Sequence, residues 1–368
     1  MSARRSRGPD HGSLEPVAVG EELAADGPEL ETSRDPASAL RNGARWADGY
    51  LLANNAEATV QSPPQELAFN RSGGSMVITK PAGTTGRYVA TFRGLSALLG
   101  TKSTVHVTGF GYDPTYCKPV GARLVRDSVE VRCFSTRTGA PANTRFTLVV
   151  TRDYPNRAFA FAHQPTAIEY SPTASGSWNP GGTIKVTRTN PGEYRVVFNG
   201  ITRHFPINTL GHLQVNAVGT GGAHCKVYNW GTDGESPNLL VDVRCYTRAG
   251  APADTKFTVL FVLPAPHVAY AWADKPSTAS YSPFAYYSSN PSLEATTTTR
   301  STVGKYTVSW TAVEPEIVDI GDVQVTTYGS GSTQCKAVEL TYYGEVVVNC
   351  FGPDGIYRDS RFTVLLHS

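Results

Sequence analysis

The sequence predicts an all-β protein: three tandem antiparallel β-sandwich modules, Ig-like or small-barrel, behind a disordered N-terminal tail. Three observations lead there. The 368 residues include 35 glycines, 25 prolines and 18 tyrosines against 2 methionines, a balance of turn formers and β-formers. Apolar, β-branched and aromatic residues alternate with period 2 in short runs, and no amphipathic helical pattern intervenes. One phrase also recurs three times at a spacing of about 110 residues, long enough for each unit to hold its own core.

Residues 1–46 read as the tail. From Asp10 to Asp35 there are eight acidic residues and one arginine, Arg34, among Gly, Pro, Ala and Ser, a composition that buries too little surface to offset ordering entropy. The opening MSARRSRG is positive but no apolar stretch follows it, so no secretory signal is visible.

The three units follow at 47–157, 158–267 and 268–368. Their ends align best: VEVRCFSTRTGAPANTRFTLVV around Cys133, VDVRCYTRAGAPADTKFTVLFV around Cys245 and VVVNCFGPDGIYRDSRFTVLL around Cys350. Upstream stand GRYVATF, GEYRVVF and GKYTVSW, then VHVTGFG, LQVNAVG and VQVTTYG, whose last glycines (Gly111, Gly219, Gly329) each precede a Cys-Lys pair by six residues. In the third unit the expected strands are AYAWAD, PFAYYS, LEATTTT, KYTVSW, DVQVTTY, QCKAVEL, EVVVNC and RFTVLL. Alternation places Tyr306, Val308 and Trp310 on one core-facing side. The expected arrangement is a string of beads.

Six cysteines fall as one pair per unit, Cys117 with Cys133, Cys225 with Cys245 and Cys335 with Cys350. Two cysteines opposite each other on antiparallel strands put the turn at their midpoint, which falls at Glu235 in NWGTDGESPN and beside Tyr343 in TYYGE. Zinc would want Cys-x-x-Cys spacing, which none of the pairs has. The reading is therefore three disulfides and an oxidising compartment, extracellular or at the cell surface. The missing signal leaves three resolutions, a misassigned start, a non-classical export route or thiols that stay reduced, of which an exported protein with a misassigned start is preferred.

Catalytic chemistry is hard to find. There is no Gly-x-Ser-x-Gly elbow, the cysteines all have partners, and GTGG at Gly219 lacks the lysine and helix of a phosphate loop. Five histidines, His163, His204, His212, His224 and His267, lie in the second unit without counterparts in the others, and packing is their expected role. Glu314, Glu316, Asp319 and Asp322 in EPEIVDIGD form a candidate calcium site, because hard oxygen ligands suit that ion; no other cofactor is expected. Tyr286, Tyr287, Tyr342 and Tyr343 are candidate ligand-binding residues. In a strand Tyr286 and Tyr287 face opposite sides, so one is exposed and able to stack on a sugar or anchor a protein. The thrice-repeated Asp/Asn-Thr/Ser-Arg/Lys-Phe-Thr phrase (from Asn143, Asp254 and Asp359) is expected to close the Gly-Ala-Pro turn through side-chain hydrogen bonds. The Cys-Lys pairs are assigned structural roles as well.

Charge bounds the partners. Basic and acidic residues number 33 and 31, and charged residues are 17% of the chain; no apolar run approaches the ~20 residues of a membrane span. Neither ordinary nucleic-acid binding nor a membrane span is expected. The net charge passes from −2 in the tail through +6 and +2 to −4 in the last unit. Drift between repeats accounts for such a gradient; on a rod, the alternative is a basic end that meets an acidic surface or, in head-to-tail self-association, the acidic end of a second copy.

The phrases AYAWADKPSTASYSP, GKYTVSW, GDVQVTTYG-x5-CK and VVVNCF-x10-RFTVLL resemble tandem β-modules of uncharacterised secreted or surface proteins of GC-rich bacteria such as actinobacteria. The likeness covers residues 47–368 and carries no catalytic or ligand residue. Because the residues shared by the units are structural and their differences lie in loops, the sequence reads as a non-enzymatic extracellular binding or adhesion protein, with an unknown protein or a glycan as partner. The alternative is a polysaccharide- or ester-hydrolase, or its accessory module, with an active site built from loops.

Overall fold

In each third of the chain the alternating runs become strands that pair in the same order. The structure is a computed structural model that describes residues 45–368 apart from 206–208, 233, 235, 314–320 and 342; the predicted tail up to residue 44 lies outside the described residues. The first segment has β1 (Gly49–Ala53), β2 (Val60–Gln61), β3 (Ala68–Asn70), β4 (Met76–Thr79), β5 (Arg87–Phe92), β6 (Ser103–Phe110), β7 (Thr115–Pro119), β8 (Ser128–Ser135) and β9 (Arg145–Arg152). The second has β10 (Arg157–Ala162), β11 (Glu169–Tyr170), β12 (Ile184–Asn190), β13 (Glu193–Phe198), β14 (His212–Val218), β15 (His224–Thr232), β16 (Leu239–Tyr246) and β17 (Lys256–Val262). The third has β18 (Val268–Ala273), β19 (Ser280–Tyr281), β20 (Thr296–Thr302), β21 (Lys305–Trp310), β22 (Asp322–Tyr328), β23 (Gln334–Leu340), β24 (Glu345–Phe351) and β25 (Arg361–His367).

Each segment is a sandwich of two sheets. One carries the orders β1-β9-β6, β10-β17-β14 and β18-β25-β22; the other carries β2-β4-β5-β8-β7, β11-β12-β13-β16-β15 and β19-β20-β21-β24-β23. All the pairings within a segment are antiparallel. Tyr306, Val308 and Trp310 do share the buried face, at 2%, 0% and 0% exposure. PFAYYS departs from expectation: Ala285–Tyr287 is a 3-10 turn, because Pro283 supplies no amide proton for a strand ladder.

The cysteine arithmetic holds. Cys117 faces Cys133, Cys225 faces Cys245 and Cys335 faces Cys350 across adjacent strands, and each pair is a disulfide. The turn between β23 and β24 contains Tyr343; Glu235, the other midpoint, lies outside the described residues.

The segments are not beads on a string. Strand β15 of the second pairs in parallel with β22 of the third, and β23 of the third pairs with β6 of the first. One hydrogen bond recurs at all three junctions, from the glycine ending each VHVTGFG-type phrase to the neighbouring cysteine strand: Gly219 N–H to the Pro119 carbonyl (3.1 Å), Gly329 to Val227 (2.8 Å) and Gly111 to Ala337 (2.9 Å). The first segment thus joins the second, the second the third, and the third the first again. Ala44–Ser368 accordingly forms one compact unit, and the basic-to-acidic gradient runs around a closed cycle instead of along a rod.

Closure creates a fourth core beside the three sandwich interiors. Tyr50 and Val149 from the first segment, Phe159, Leu260 and Val262 from the second, and Val268, Tyr270 and Leu365 from the third meet as one buried cluster, with Trp46 and Ala47 against it. Trp46, assigned to the tail from composition, is buried under the Arg157 guanidinium, 4.1 Å from its ring centroid.

Candidate functional site at the segment junctions

The lysines that follow the first cysteine of each pair reach across the junctions. Lys118 Nζ donates to the Ala223 carbonyl of the second segment at 2.8 Å. Lys226 donates to Gly331 (3.0 Å) and Ser330 (3.3 Å) of the third. Lys336 donates to the Asp113 carbonyl (3.1 Å) and Thr115 Oγ1 (2.7 Å) of the first. Their exposures are 3%, 0% and 1%. The disulfide pins each strand at the residue beforehand, which sets where the lysine stem leaves the sheet. Burial disfavours the charged form, bringing Lys118 down to about 8 and Lys226 and Lys336 to about 7.

The central strands β6, β14 and β22 make a second cycle. Val107 N–H donates to Asn216 Oδ1 (2.6 Å), Val215 N–H to Thr326 Oγ1 (3.0 Å) and Val325 N–H to Thr108 Oγ1 (2.9 Å). Thr108 donates to Gln324 Oε1 at 2.9 Å and Thr326 to Gln214 Oε1 at 2.6 Å. Further along, Gln214 Nε2 donates to His212 Nε2 (2.7 Å), and Gln324 Nε2 donates to Asp322 Oδ2 (2.7 Å). His106, at the position equivalent to Gln214 and Gln324, is buried. Desolvation holds His106 and His212 down to about 3, so both rings are neutral at pH 7.

Where Lys118 and this network meet, a cavity of about 30 Å³ is lined by all three segments: Val107 to Gly109, Val215 to Ala217 and Val325 to Thr327, with Lys118, His224 and Gln334. A second, open cleft of about 150 Å³ lies on the outer sheet face of the second segment. There the Arg244 guanidinium sits 3.6 Å over the Tyr228 ring centroid, Arg195 pairs with Asp242 at 2.8 Å, and Arg244 with Glu193 at 3.2 Å.

The residues singled out from sequence fall in several places. Glu314, Glu316, Asp319 and Tyr342 lie outside the described residues. Asp322 begins β22, is 3% exposed, and stands 3.4 Å from His367 Nε2; burial is the main cause raising its carboxyl pKa. Among the described residues no group of three or more His, Cys, Asp or Glu side chains is placed to hold a metal ion, so the second segment's histidines do not converge. His212 and His224 are buried, whereas His163 packs edge-on against Tyr170.

Tyr287 belongs to a closed aromatic cluster at the junction of the second and third segments, with ring centroids 4.9 Å from Trp230 and 5.0 Å from Trp272. Tyr328 joins it 5.5 Å from Trp230. Tyr286 stacks on exposed Phe284 (5.6 Å, 13° between planes), and Tyr343 is 86% exposed.

The repeated Asp/Asn phrase has a different partner from the one expected. Asp254 Oδ1 accepts from Gly192 N–H (2.8 Å) and Tyr194 Oη (3.0 Å), and Asp359 Oδ1 from Gly304 N–H (2.8 Å) and Tyr306 Oη (2.9 Å). Asn143 Oδ1 accepts from Gly86 N–H at 2.8 Å. It ties the last loop to the Gly-x-Tyr hairpin instead of closing its own turn, because the hairpin's amide would otherwise lack a partner. Those glycines have φ of +61°, +71° and +68°, and a Cβ would lie 2.4 to 2.7 Å from the carbonyl oxygen of Cys133, Cys245 or Cys350.

Sequence reasoning recognised the Cys-Lys pairs as structural but missed that they act between segments. Their signal was a strand-borne lysine kept in all three units at the same offset from a cysteine. No protein-family model matches the chain, and a search of curated proteins finds no match.

Proposed function

We propose that this chain is a non-enzymatic binding or adhesion protein, exported to an oxidising compartment, in which three copies of one β-module close into a ring. The carrying observation is that the buried lysines hold segments together, each donating to a neighbour's loop. The buried lysines therefore serve architecture, and contact with a glycan or protein partner is left to the outer surface. The three disulfides support export; no helix among the described residues is long and apolar enough to cross a membrane.

The outer cleft favours a glycan. Tyr228 offers an aromatic surface, while Arg195, Asp242, Arg244 and Glu193 offer planar groups able to hydrogen-bond hydroxyls. Exposed Phe284, Tyr286 and Tyr343 provide further contact surface of the kind enriched at interfaces. A glycan array and a pull-down with the full chain test the reading. Binding that falls at least tenfold in Asp242→Ala or in Phe284→Ala/Tyr343→Ser supports it. Turnover of a polysaccharide or ester substrate overturns it.

A further inference from the structure

The cavity lined by all three segments collects hydrogen-bond donors and a cation but no carboxylate. Lys118 comes from the first segment, His224 from the second and Gln334 from the third, and no Asp or Glu lines the space. Lys118 Nζ has one acceptor among the described residues, Ala223 O, leaving ammonium hydrogens uncommitted. Gln334 Nε2 is buried without a hydrogen-bond partner among the described residues, and the buried His224 ring has the Ser332 backbone as its hydrogen-bond neighbour. Lys226 and Lys336 are buried at the other two junctions and tied to carbonyl or hydroxyl oxygens, with the Asp113 carboxylate acting on Lys336.

We infer that this cavity is a binding site for one small monovalent inorganic anion of halide size, held by Lys118, Gln334 and His224 and thereby bridging all three segments. Size and charge select the class. A volume of about 30 Å³ suits about two water-sized spheres, too little for a sugar or nucleotide. A multiply charged oxyanion would require more cationic donors than the single lysine lining the space. A cation is disfavoured by the ammonium group and by the absence of a carboxylate from the lining. Bound there, the anion would offset the cost of burying the Lys118 charge.

The test compares thermal unfolding of the full chain in sodium chloride, sodium bromide and sodium gluconate at equal ionic strength. Chloride and bromide should raise the midpoint by a few degrees over gluconate, with a saturable dependence on concentration. Gln334→Glu places a carboxylate beside Lys118 and should abolish that difference. In crystals grown with bromide, the anomalous peak should lie between Lys118, His224 and Gln334. Identical midpoints in halide and gluconate overturn the proposal, as does a halide effect undiminished in both Gln334→Glu and Lys118→Met. If both variants fail to fold, the wild-type bromide position decides, and a peak elsewhere or none refutes the site.

Discussion

The Lys226 ammonium of the second segment donates to the Gly331 carbonyl of the third at 3.0 Å, in a place where the lysine is 0% exposed. Removing the donor leaves the Gly331 and Ser330 carbonyls unpaired at a junction. Lys226→Met should therefore lower stability by about 1–3 kcal/mol, read from urea unfolding, and Lys336→Met should do the same. Unchanged stability in both would mean that desolvation of the lysines cancels their hydrogen bonds, and the junctions would then rest on β-pairing and apolar contact.

Acid should weaken the ring through its neutral histidines. His106, His212 and His224 titrate near 3 in the fold, against about 6.5 when unfolded. The unfolded chain thus binds more protons between those values. The histidine contribution is fully present above about pH 6.5 and is lost as pH falls, by up to about 1.4 kcal/mol per pH unit for each group. Glutamine stands at the position of His106 in the other two segments, so His106→Gln should fold and should show a shallower loss between pH 6.5 and 4. An identical pH profile would exclude His106 from the effect.

The Asp254 clamp gives a second pH signature. Hydrogen bonds from Arg188 are the first cause holding its carboxyl down to about 2, and the pair is bidentate at 2.9 and 2.8 Å. Its stabilisation is present above about pH 4 and lost as pH falls towards 2. Asp254→Asn imitates Asn143 of the first segment and keeps an acceptor for Gly192, so it should cost about 1 kcal/mol or less, the ion pair being partly solvent-screened. Asp254→Ala, which leaves Gly192 N–H without its acceptor and Tyr194 Oη with the Pro165 carbonyl alone, should cost about 2 kcal/mol. Equal losses in chemical unfolding would contradict this account.

Gly192→Ala should destabilise by more than Asp254→Asn. The Cβ would lie 2.6 Å from both Ala253 N and Cys245 O, in backbone at φ +71°. Forcing an L-residue into that left-handed region costs about 1–2 kcal/mol before the contacts are counted. A thermal midpoint equal to wild type would show that the hairpin can move away from the disulfide strand.

Replacing Cys225 and Cys245 together with alanine should cost about 3 kcal/mol by the chain-entropy model and should also loosen the second junction, because Lys226 is the next residue along the pinned strand. Hydrogen exchange would show faster opening at Gly329 N–H, which bonds Val227 O at 2.8 Å, than at the corresponding Gly111. Equal protection at both glycines would separate the disulfide from the junction.

Most strand positions, disulfide partners and the inward faces were legible in the sequence because each follows from local repetition: period-2 alternation in KYTVSW, one cysteine pair per unit, and turn residues between. The candidate site was legible only in part. In β6 alternation sets polar Thr104, His106 and Thr108 on the face opposite Val105 and Val107, yet every residue of the strand is buried, since that face too is covered by the other two segments. Alternation reports that two faces differ and does not report what lies against the second one. Of the pair Tyr286 and Tyr287, expected on a strand with at least one ring exposed, Tyr286 is exposed, while Tyr287, also offered as a ligand contact, sits in a turn and packs into a junction.

By itself the sequence determined the β-sandwich unit, its three occurrences and its three disulfides, because these depend on hydrophobic pattern and on cysteines held opposite each other within one hairpin. Only the tertiary structure decided that the third segment returns to the first, and with it where the buried lysines, the buried histidines and the cavity lie. Such contacts join residues more than 100 positions apart, such as Lys226 with Gly331 and Thr108 with Gln324. Their energy comes from matching two finished surfaces, which no local run of residues encodes.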